Sequence, residues 1–219
     1  MSEMITVRRH TLLYRFLHWF IALQVLILVV TGLGVSEYIP LTVLGRDIAR
    51  NLHIVVALLW TGTITFFVYY FIMSGEYKWF GVSKVGQAVD FFVHELEYFI
   101  KGKKVKPPIS YDSARRKYDE KVIPTEVLAW WGWFVLWVAM VLTGLALLFP
   151  EAFGFVNRLA SGILPAFTTA TMATRFIHLV LAIGMVVFAL IHAYASWTFG
   201  MVGSMISGMN KEPVSSSKS

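Results

Sequence analysis

The sequence predicts an all-α integral membrane protein, a bundle of four transmembrane helices with an additional amphipathic helix on the cytoplasmic surface. Three observations support this fold class. Of the 219 residues, 57% are hydrophobic and only 15% are charged, whereas a soluble domain carries roughly 25% charged residues. The mean hydropathy is +0.66. Four apolar stretches each reach the length of about 20 residues that a membrane-spanning helix needs.

The four predicted spans cover about residues 12–35, 49–73, 127–149 and 171–199. The first span contains Arg15, His18 and Gln24, and it is therefore too long and too polar for a signal-peptide core, so we expect a retained helix. Pro40 lies in the short link after it. A long polar loop, 74–125, separates the second and third spans. We expect a single domain over 1–210 and a mobile tail over 211–219.

The distribution of positive charge predicts the orientation. Of the 19 Lys and Arg residues, 15 lie in the N-terminal segment, the 74–125 loop (among them Lys103, Lys104 and Lys106) and the tail (which includes Lys218). The positive-inside rule places both termini and this loop in the cytoplasm, with the chain crossing the inner membrane several times. Because topology explains the net charge of +6, we expect membrane lipid, and no nucleic acid, as a partner.

An amphipathic helix is predicted inside the long loop, within residues 85–100. Its apolar residues recur at helical spacing, and they are Val85, Ala88, Val89, Phe92, Val93, Leu96 and Phe99. We interpret the segment as a helix on the inner membrane surface. A docking helix for a partner subunit is the alternative.

The absence of cysteine limits the chemistry of the chain. It excludes disulfides, thiolate zinc sites, Cys-ligated iron–sulfur clusters and covalent haem attachment through Cys. Any redox chemistry must therefore use histidine, carboxylates, hydroxyls or a cofactor held without covalent bonds.

Four of the six histidines lie within the spans, at two depths. His53 and His178 are near the outer ends of their spans, while His18 and His192 are in the cytoplasmic half. His178 and His192 are 14 residues apart, which places them on nearly one helix face and about 21 Å apart along the axis. His10 and His94 lie outside the spans, and we expect them to be solvated or interfacial.

Two histidines at each depth predict two haems of the b type, each with two imidazole ligands, because imidazole binds iron well and b-type haem needs no cysteine. Zinc is disfavoured by only two ligands at each depth. For a single histidine, a hydrogen bond between helices or a place in a proton path is the alternative. Arg15, Arg50 and Arg175 each precede a histidine by three residues. They are candidate partners for haem propionates, with interfacial anchoring as the alternative.

These motifs resemble the formate dehydrogenase gamma-subunit family, whose relatives serve nickel–iron hydrogenases and thiosulfate reductases. The similarity rests on R-x-x-H-W at Arg15–Trp19, R-N-L-H at Arg50–His53, F-I-H ending at His178 with His192 beyond it, and G-S-M-I-S-G-M at Gly203–Met209. The resemblance implies two haem b groups, the outer bound by His53 and His178 and the inner by His18 and His192.

The resemblance also implies electron transfer between an iron–sulfur subunit on the outer face, which serves a catalytic subunit, and menaquinone or ubiquinone near the inner haem. The family's quinone region corresponds here to 118–126, where Asp119 and Glu126 replace the expected amides. Carboxylates can exchange the protons of quinone chemistry, although acids in a solvated loop are the alternative.

We therefore expect a cytochrome b membrane-anchor subunit of a respiratory oxidoreductase, without catalytic residues for the substrate of the complex. A haem anchor without a quinone site is one alternative. A proton-coupled transporter with a histidine relay is another, but such a protein is expected to hold carboxylates within its spans, and none lies between the span ends.

Overall fold

A computed structural model describes residues 4–39, 44–102 and 107–215 of the chain. Seven helices lie in these ranges: α1 (Leu12–Val35), α2 (Arg46–Met73), α3 (Val85–Lys101), α4 (Pro124–Leu148), α5 (Gly154–Ile163), α6 (Ala170–Thr198) and α7 (Val202–Ser207). They also contain two short 3₁₀ helices, Glu76–Phe80 and Val82–Lys84, and four strands: β1 (Met4–Arg8), β2 (Ser110–Asp112), β3 (Lys117–Glu120) and β4 (Met209–Pro213). Pro40, Lys103, Lys104, Lys106 and Lys218 lie outside the described residues.

Helices α1, α2, α4 and α6 are long and apolar enough to cross a membrane, so the predicted four-span helical bundle is confirmed. Each has 24 to 29 residues. Large apolar side chains are exposed on the surfaces of these helices. Examples are Val55, Val135 and Leu190, which are 62%, 63% and 66% exposed. Helices that are apolar on all sides are typical of membrane spans.

Two helix starts differ from the expected bounds by three residues. Helix α2 begins at Arg46 and α4 begins at Pro124. Proline is favoured in the first turn because its missing N–H would have no partner there and its φ is already helical. The earlier start of α4 brings Glu126 into the first turn of a helix, where a negative side chain is favourable.

The described chain forms two compact units. One contains the residues of 18–65 and 133–195, and therefore most of the four long helices together with α5. The other contains the described residues of 1–17, 66–132 and 196–219, and therefore the strands, α3 and α7.

The strands are an addition to the expected helical fold, and they correct the prediction of a mobile tail. Strand β4 pairs antiparallel with β1, from Met4 opposite Pro213 to Arg8 opposite Met209. Residues 211–213 therefore belong to a strand, whereas 216–219 lie outside the described residues. Hydrophobic periodicity depends only on neighbouring residues in the sequence. It therefore does not predict a five-residue strand that pairs with the other end of the chain.

Gly208 makes the turn from α7 into β4 possible. Its φ is 82°, in the left-handed region that glycine adopts without steric cost. A Cβ at this position would lie 2.9 Å from the backbone oxygen of His10. The backbone oxygen of Gly208 also accepts a hydrogen bond from the Arg9 N–H at 2.8 Å, so the glycine joins α7 to the residues that follow β1.

A buried ionic cluster links β1, β4 and α4. Arg9 donates to Glu212 at 2.9 Å, and both side chains are only 2% exposed. Glu126 lies 3.4 Å from the same guanidinium, and the Tyr118 hydroxyl donates to Glu212 at 3.4 Å. Burial by itself lowers the pKa of Arg9, but Glu126 and Glu212 more than offset it, so the pKa is raised and Arg9 stays charged.

Helix α3 has an inner and an outer face. Ala88 is fully buried against Val122 and Val127. The outer face is apolar and exposed, and it consists of Val89, Phe92, Val93, Leu96 and Ile100. Glu95 is buried, which the amphipathic pattern did not predict; it accepts a hydrogen bond from Thr125 at 3.1 Å. Burial raises the pKa of Glu95, and the Thr125 hydrogen bond opposes that rise.

The ionic cluster predicts a strong effect of Glu212→Ala on stability. The substitution leaves Arg9 buried with one weaker carboxylate partner, and removing one member of a buried ion pair costs about 3–5 kcal/mol. We expect a clearly lower melting temperature in detergent. The control is Lys211→Ala, an exposed position on the same strand, which should melt like the unmodified chain. Equal melting temperatures for the two variants would contradict a stabilising role of the cluster.

Candidate functional site

The inner pair of histidines forms a facing arrangement of two imidazoles. His18 on α1 and His192 on α6 have ring centroids 6.2 Å apart, with the ring planes inclined by 48°. A metal bound by one nitrogen of each ring at about 2 Å separates the centroids by about 6 Å. The distance therefore fits a metal that would be held between the two imidazoles. The Nδ1 atom of His18 is buried and has no hydrogen-bond partner among the described residues.

The outer pair joins α2 and α6. His53 and His178 lie near enough to each other for their imidazoles to interact electrostatically. Both side chains are half-buried. The structure thus brings the four histidines together in the two pairs that the sequence predicts, and all four belong to the same compact unit.

Each outer histidine is hydrogen-bonded through Nδ1 to a threonine of another helix. The Thr31 hydroxyl lies 3.0 Å from Nδ1 of His53, and the Thr143 hydroxyl lies 2.7 Å from Nδ1 of His178. The threonines belong to α1 and α4, so each outer histidine projects from one helix onto the hydroxyl of another.

The direction of these hydrogen bonds follows from the single proton of a hydroxyl group. Thr31 donates that proton to the Ile27 carbonyl, and Thr143 donates its proton to the Ala139 carbonyl, both at 2.7 Å. Each hydroxyl can then only accept from the imidazole, so Nδ1 carries the ring proton. Nε2 is left with its lone pair, as a metal ligand requires.

A glycine follows each of these threonines and lies against the same ring. A Cβ on Gly32 would be 3.2 Å from Cε1 of His53, and one on Gly144 would be 3.5 Å from Cε1 of His178. Glycine at these two positions therefore allows the imidazole ring to come close to the neighbouring helix. At Gly62 and Gly184, two further glycines of the spans, nothing lies within 4 Å of an added Cβ.

Asn157 on α5 connects α4 to α6 beside the outer pair. Its side-chain amide donates to the Ala146 carbonyl at 3.1 Å and accepts from the Thr174 hydroxyl at 2.6 Å. Thr174 is one helical turn before His178, and both Asn157 and Thr174 are buried. This bridge helps to hold the histidine-bearing helix next to the helix that supplies Thr143.

The three candidate arginines have different surroundings. Arg175 pairs with Glu37 at 2.8 Å, and Arg15 donates to the backbone oxygen of Ile206. Arg50 is exposed and has no ion pair or hydrogen bond within the described part of the chain. Arg50 is therefore the candidate whose charge is least compensated and most available to an anionic group.

The two candidate carboxylates of the quinone region are also placed differently. Glu126 is in the first turn of α4 and pairs with Arg9, with its side chain 33% exposed. Asp119 is exposed on β3. No hydrogen bond joins the two among the described residues.

The remaining two histidines lie outside these two pairs. His10 stacks on Tyr14, with the ring centroids 4.9 Å apart. His94 is exposed on α3, with Nδ1 2.7 Å from the Asp90 carbonyl.

The donor set fits haem. The described residues contain no group of three or more His, Cys, Asp or Glu side chains able to hold a metal ion by themselves. Two imidazoles are sufficient for a haem iron, because the macrocycle supplies the other four ligands. Nε2 of His53 and His178 and one ring nitrogen each of His18 and His192 are the atoms that would hold the iron.

Thr31 and Thr143 are the site residues that sequence reasoning missed. A signal was present, because Thr-Gly-Leu occurs at 31–33 and again at 143–145, in each case on a span that precedes an outer histidine. The repeat is only three residues long, and its meaning depends on which histidine faces it.

Comparison with known proteins identifies the family. The model of the prokaryotic cytochrome b561 family matches residues 9–209. A comparison with curated proteins finds no match. The family match spans all four long helices and all four paired histidines, and it is consistent with the hydrogenase-type membrane cytochrome b that the sequence motifs resemble. The chain therefore belongs to the prokaryotic cytochrome b561 family, as a multi-pass membrane protein that binds haem b and transfers electrons.

Proposed function

We propose that this chain is the di-haem membrane anchor of a respiratory oxidoreductase and relays electrons across the membrane between an outer partner and the quinone pool. The observation that carries the proposal is the presence of two pairs of histidines, His53 with His178 and His18 with His192. The centroid distance of 6.2 Å in the inner pair and the free Nε2 atoms of the outer pair support one haem at each.

The residues of the chain bind, orient and insulate the redox group. When bound, haem supplies a one-electron couple between ferric and ferrous iron. Ring nitrogens of the histidines would hold the iron, and α2 and α6 hold the outer pair within one compact unit. The apolar helices keep bulk water away, which together with the ligands sets the reduction potential.

We propose an iron–sulfur subunit as the partner on the outer face, connected to a catalytic subunit of the formate dehydrogenase, hydrogenase or thiosulfate reductase type. The excess of Lys and Arg in the termini and the 74–125 loop supports a cytoplasmic location for both termini in the inner membrane. Uncompensated Arg50, near the start of α2, supports propionate binding at the outer haem.

The haem content of the purified chain tests this proposal. We expect a reduced-minus-oxidised spectrum of the b type and about two haems per chain by pyridine haemochrome, because each histidine pair supplies one complete set of axial ligands. A well-folded preparation without haem would overturn the proposal and make a histidine proton relay the leading alternative.

Substitution of single ligands should remove one haem at a time. We expect His53→Ala or His178→Ala to lose only the outer haem, and His18→Ala or His192→Ala only the inner one, because each pair is complete in itself. The measurement is haem content per folded chain. His94→Ala is the matched control, since this exposed histidine should leave both haems in place. Loss of both haems from every folded single variant would contradict two separate sites.

We propose that Glu126 takes part in proton exchange with the quinone, with Asp119 as the second candidate. The partial exposure of Glu126 and its contact with the Arg9 guanidinium support a polar position that a quinone oxygen can reach. The amide of Glu126→Gln keeps the shape but cannot exchange the proton.

For Glu126→Gln we expect slower oxidation of the prereduced haems by a short-chain quinone, with an unchanged haem count. Stopped-flow absorbance of the b band measures the rate. Glu151→Gln is the control, because Glu151 is an exposed carboxylate in the link between α4 and α5. Unchanged rates in Glu126→Gln and Asp119→Asn would remove both carboxylates from the quinone site and leave the haem assignment intact.

A further inference from the structure

The two histidine pairs differ in how their Nδ1 atoms are held. Both outer imidazoles donate Nδ1–H to a threonine hydroxyl, whereas Nδ1 of His18 has no partner among the described residues. We propose that Thr31 and Thr143 are positioning residues that select Nε2 of His53 and His178 as the iron ligand and lower the reduction potential of the outer haem. The inference rests on the proposed function, because it presupposes a haem at the outer pair.

The threonine oxygens are fixed in position by their own helices. The Thr31 hydroxyl lies 2.7 Å from the Ile27 carbonyl and 3.3 Å from the Leu28 carbonyl. The Thr143 hydroxyl is held in the same way, at 2.7 Å from the Ala139 carbonyl and 3.2 Å from the Met140 carbonyl. These contacts restrict side-chain rotation, so each hydroxyl presents a lone pair to the imidazole in one direction.

The neighbouring glycines complete the positioning. Cε1 of His53 lies next to Gly32 on α1, and Cε1 of His178 lies next to Gly144 on α4. Each ring edge therefore packs against the helix whose threonine contacts its Nδ1. Of the two ring nitrogens, only Nε2 keeps a free lone pair. The arrangement occurs twice, on α1 facing α2 and on α4 facing α6, which argues that it is not an accident of one side-chain rotamer.

The hydrogen bond also changes the ligand itself. An imidazole that donates its second nitrogen proton to an acceptor is a more basic ligand, and partners of this kind tune the metal that the ligand binds. A more basic ligand favours the ferric state and lowers the reduction potential. Because both outer ligands have this hydrogen bond and His18 does not, the threonines favour electron movement from the outer haem to the inner one.

Valine substitution provides the test, since it keeps the branched shape and removes the hydroxyl. In Thr31→Val and Thr143→Val we expect the ferrous-to-ferric ratio of the outer haem at a fixed potential to rise about tenfold, which corresponds to 59 mV for a one-electron couple. The inner haem should keep its potential. Optical redox titration resolves the two components, and the histidine variants described above assign them.

The chain contains a matched control. Thr61 on α2 is also followed by glycine, and its hydroxyl donates to the Ala57 carbonyl at 2.8 Å, but nothing lies within 4 Å of an added Cβ at Gly62. Thr61→Val should therefore leave both potentials unchanged. Thr31→Ser and Thr143→Ser keep the hydroxyl and should keep the outer potential near that of the unmodified chain. If valine prevents folding, Thr→Ala at the same positions removes the hydroxyl without added bulk.

Selective loss of the outer haem in the valine variants, with retention in the serine variants, would also support the positioning role. Unchanged potentials in both valine variants, with two haems bound, would overturn it while leaving the di-haem function intact. Equal shifts in the serine and valine variants would overturn it as well, because shape and not the hydrogen bond would then be responsible. Absence of haem from the unmodified chain would overturn the proposed function first.

Discussion

The imidazole nitrogens of the outer histidines need partners in an apolar environment, and much of the site's structure meets that need. Inside hydrocarbon an unpaired polar group costs several kcal/mol, and the backbone satisfies its own groups by remaining helical. The same helical backbone supplies the carbonyl that takes the Thr31 hydroxyl proton. Through that chain of hydrogen bonds, the regular backbone of α1 determines which nitrogen of His53 on α2 is free to bind a metal.

The supporting arrangement consists of a threonine, a glycine and a histidine from another helix. The threonine and glycine alone are not sufficient, because Thr61 makes the same backbone hydrogen bond and nothing lies within 4 Å of a Cβ added at Gly62. Gly32 matters because it has no Cβ. A Cβ at this position would lie 3.2 Å from Cε1 of His53 and would crowd the ring. What distinguishes Thr31 is therefore the histidine that faces it.

Charged groups near the ends of the long helices and in the strands are mostly compensated by opposite charges. Arg9 is nearly fully buried but is compensated by Glu212 and Glu126, since the energetic cost of burying a charge is met only by a close opposite charge. Glu37 similarly pairs with both Arg46 and Arg175. Against this background Arg50, exposed and without a partner among the described residues, is notable as a cation close in sequence to His53.

The sequence by itself determined the membrane fold and the position of each histidine along its span, because both depend on local properties: the length of an apolar run and the position of a residue within it. It therefore predicted four spans within three residues of their observed bounds. Only the tertiary structure decided which side chains meet across helices, because that depends on the rotation of each helix about its axis. The Thr31–His53 contact spans 22 residues, and the Arg9–Glu212 pair spans 203. Neither separation can be inferred from a local pattern alone, so the contacts between the threonines and the outer histidines and the pairing of the chain's two ends became visible only in the folded molecule.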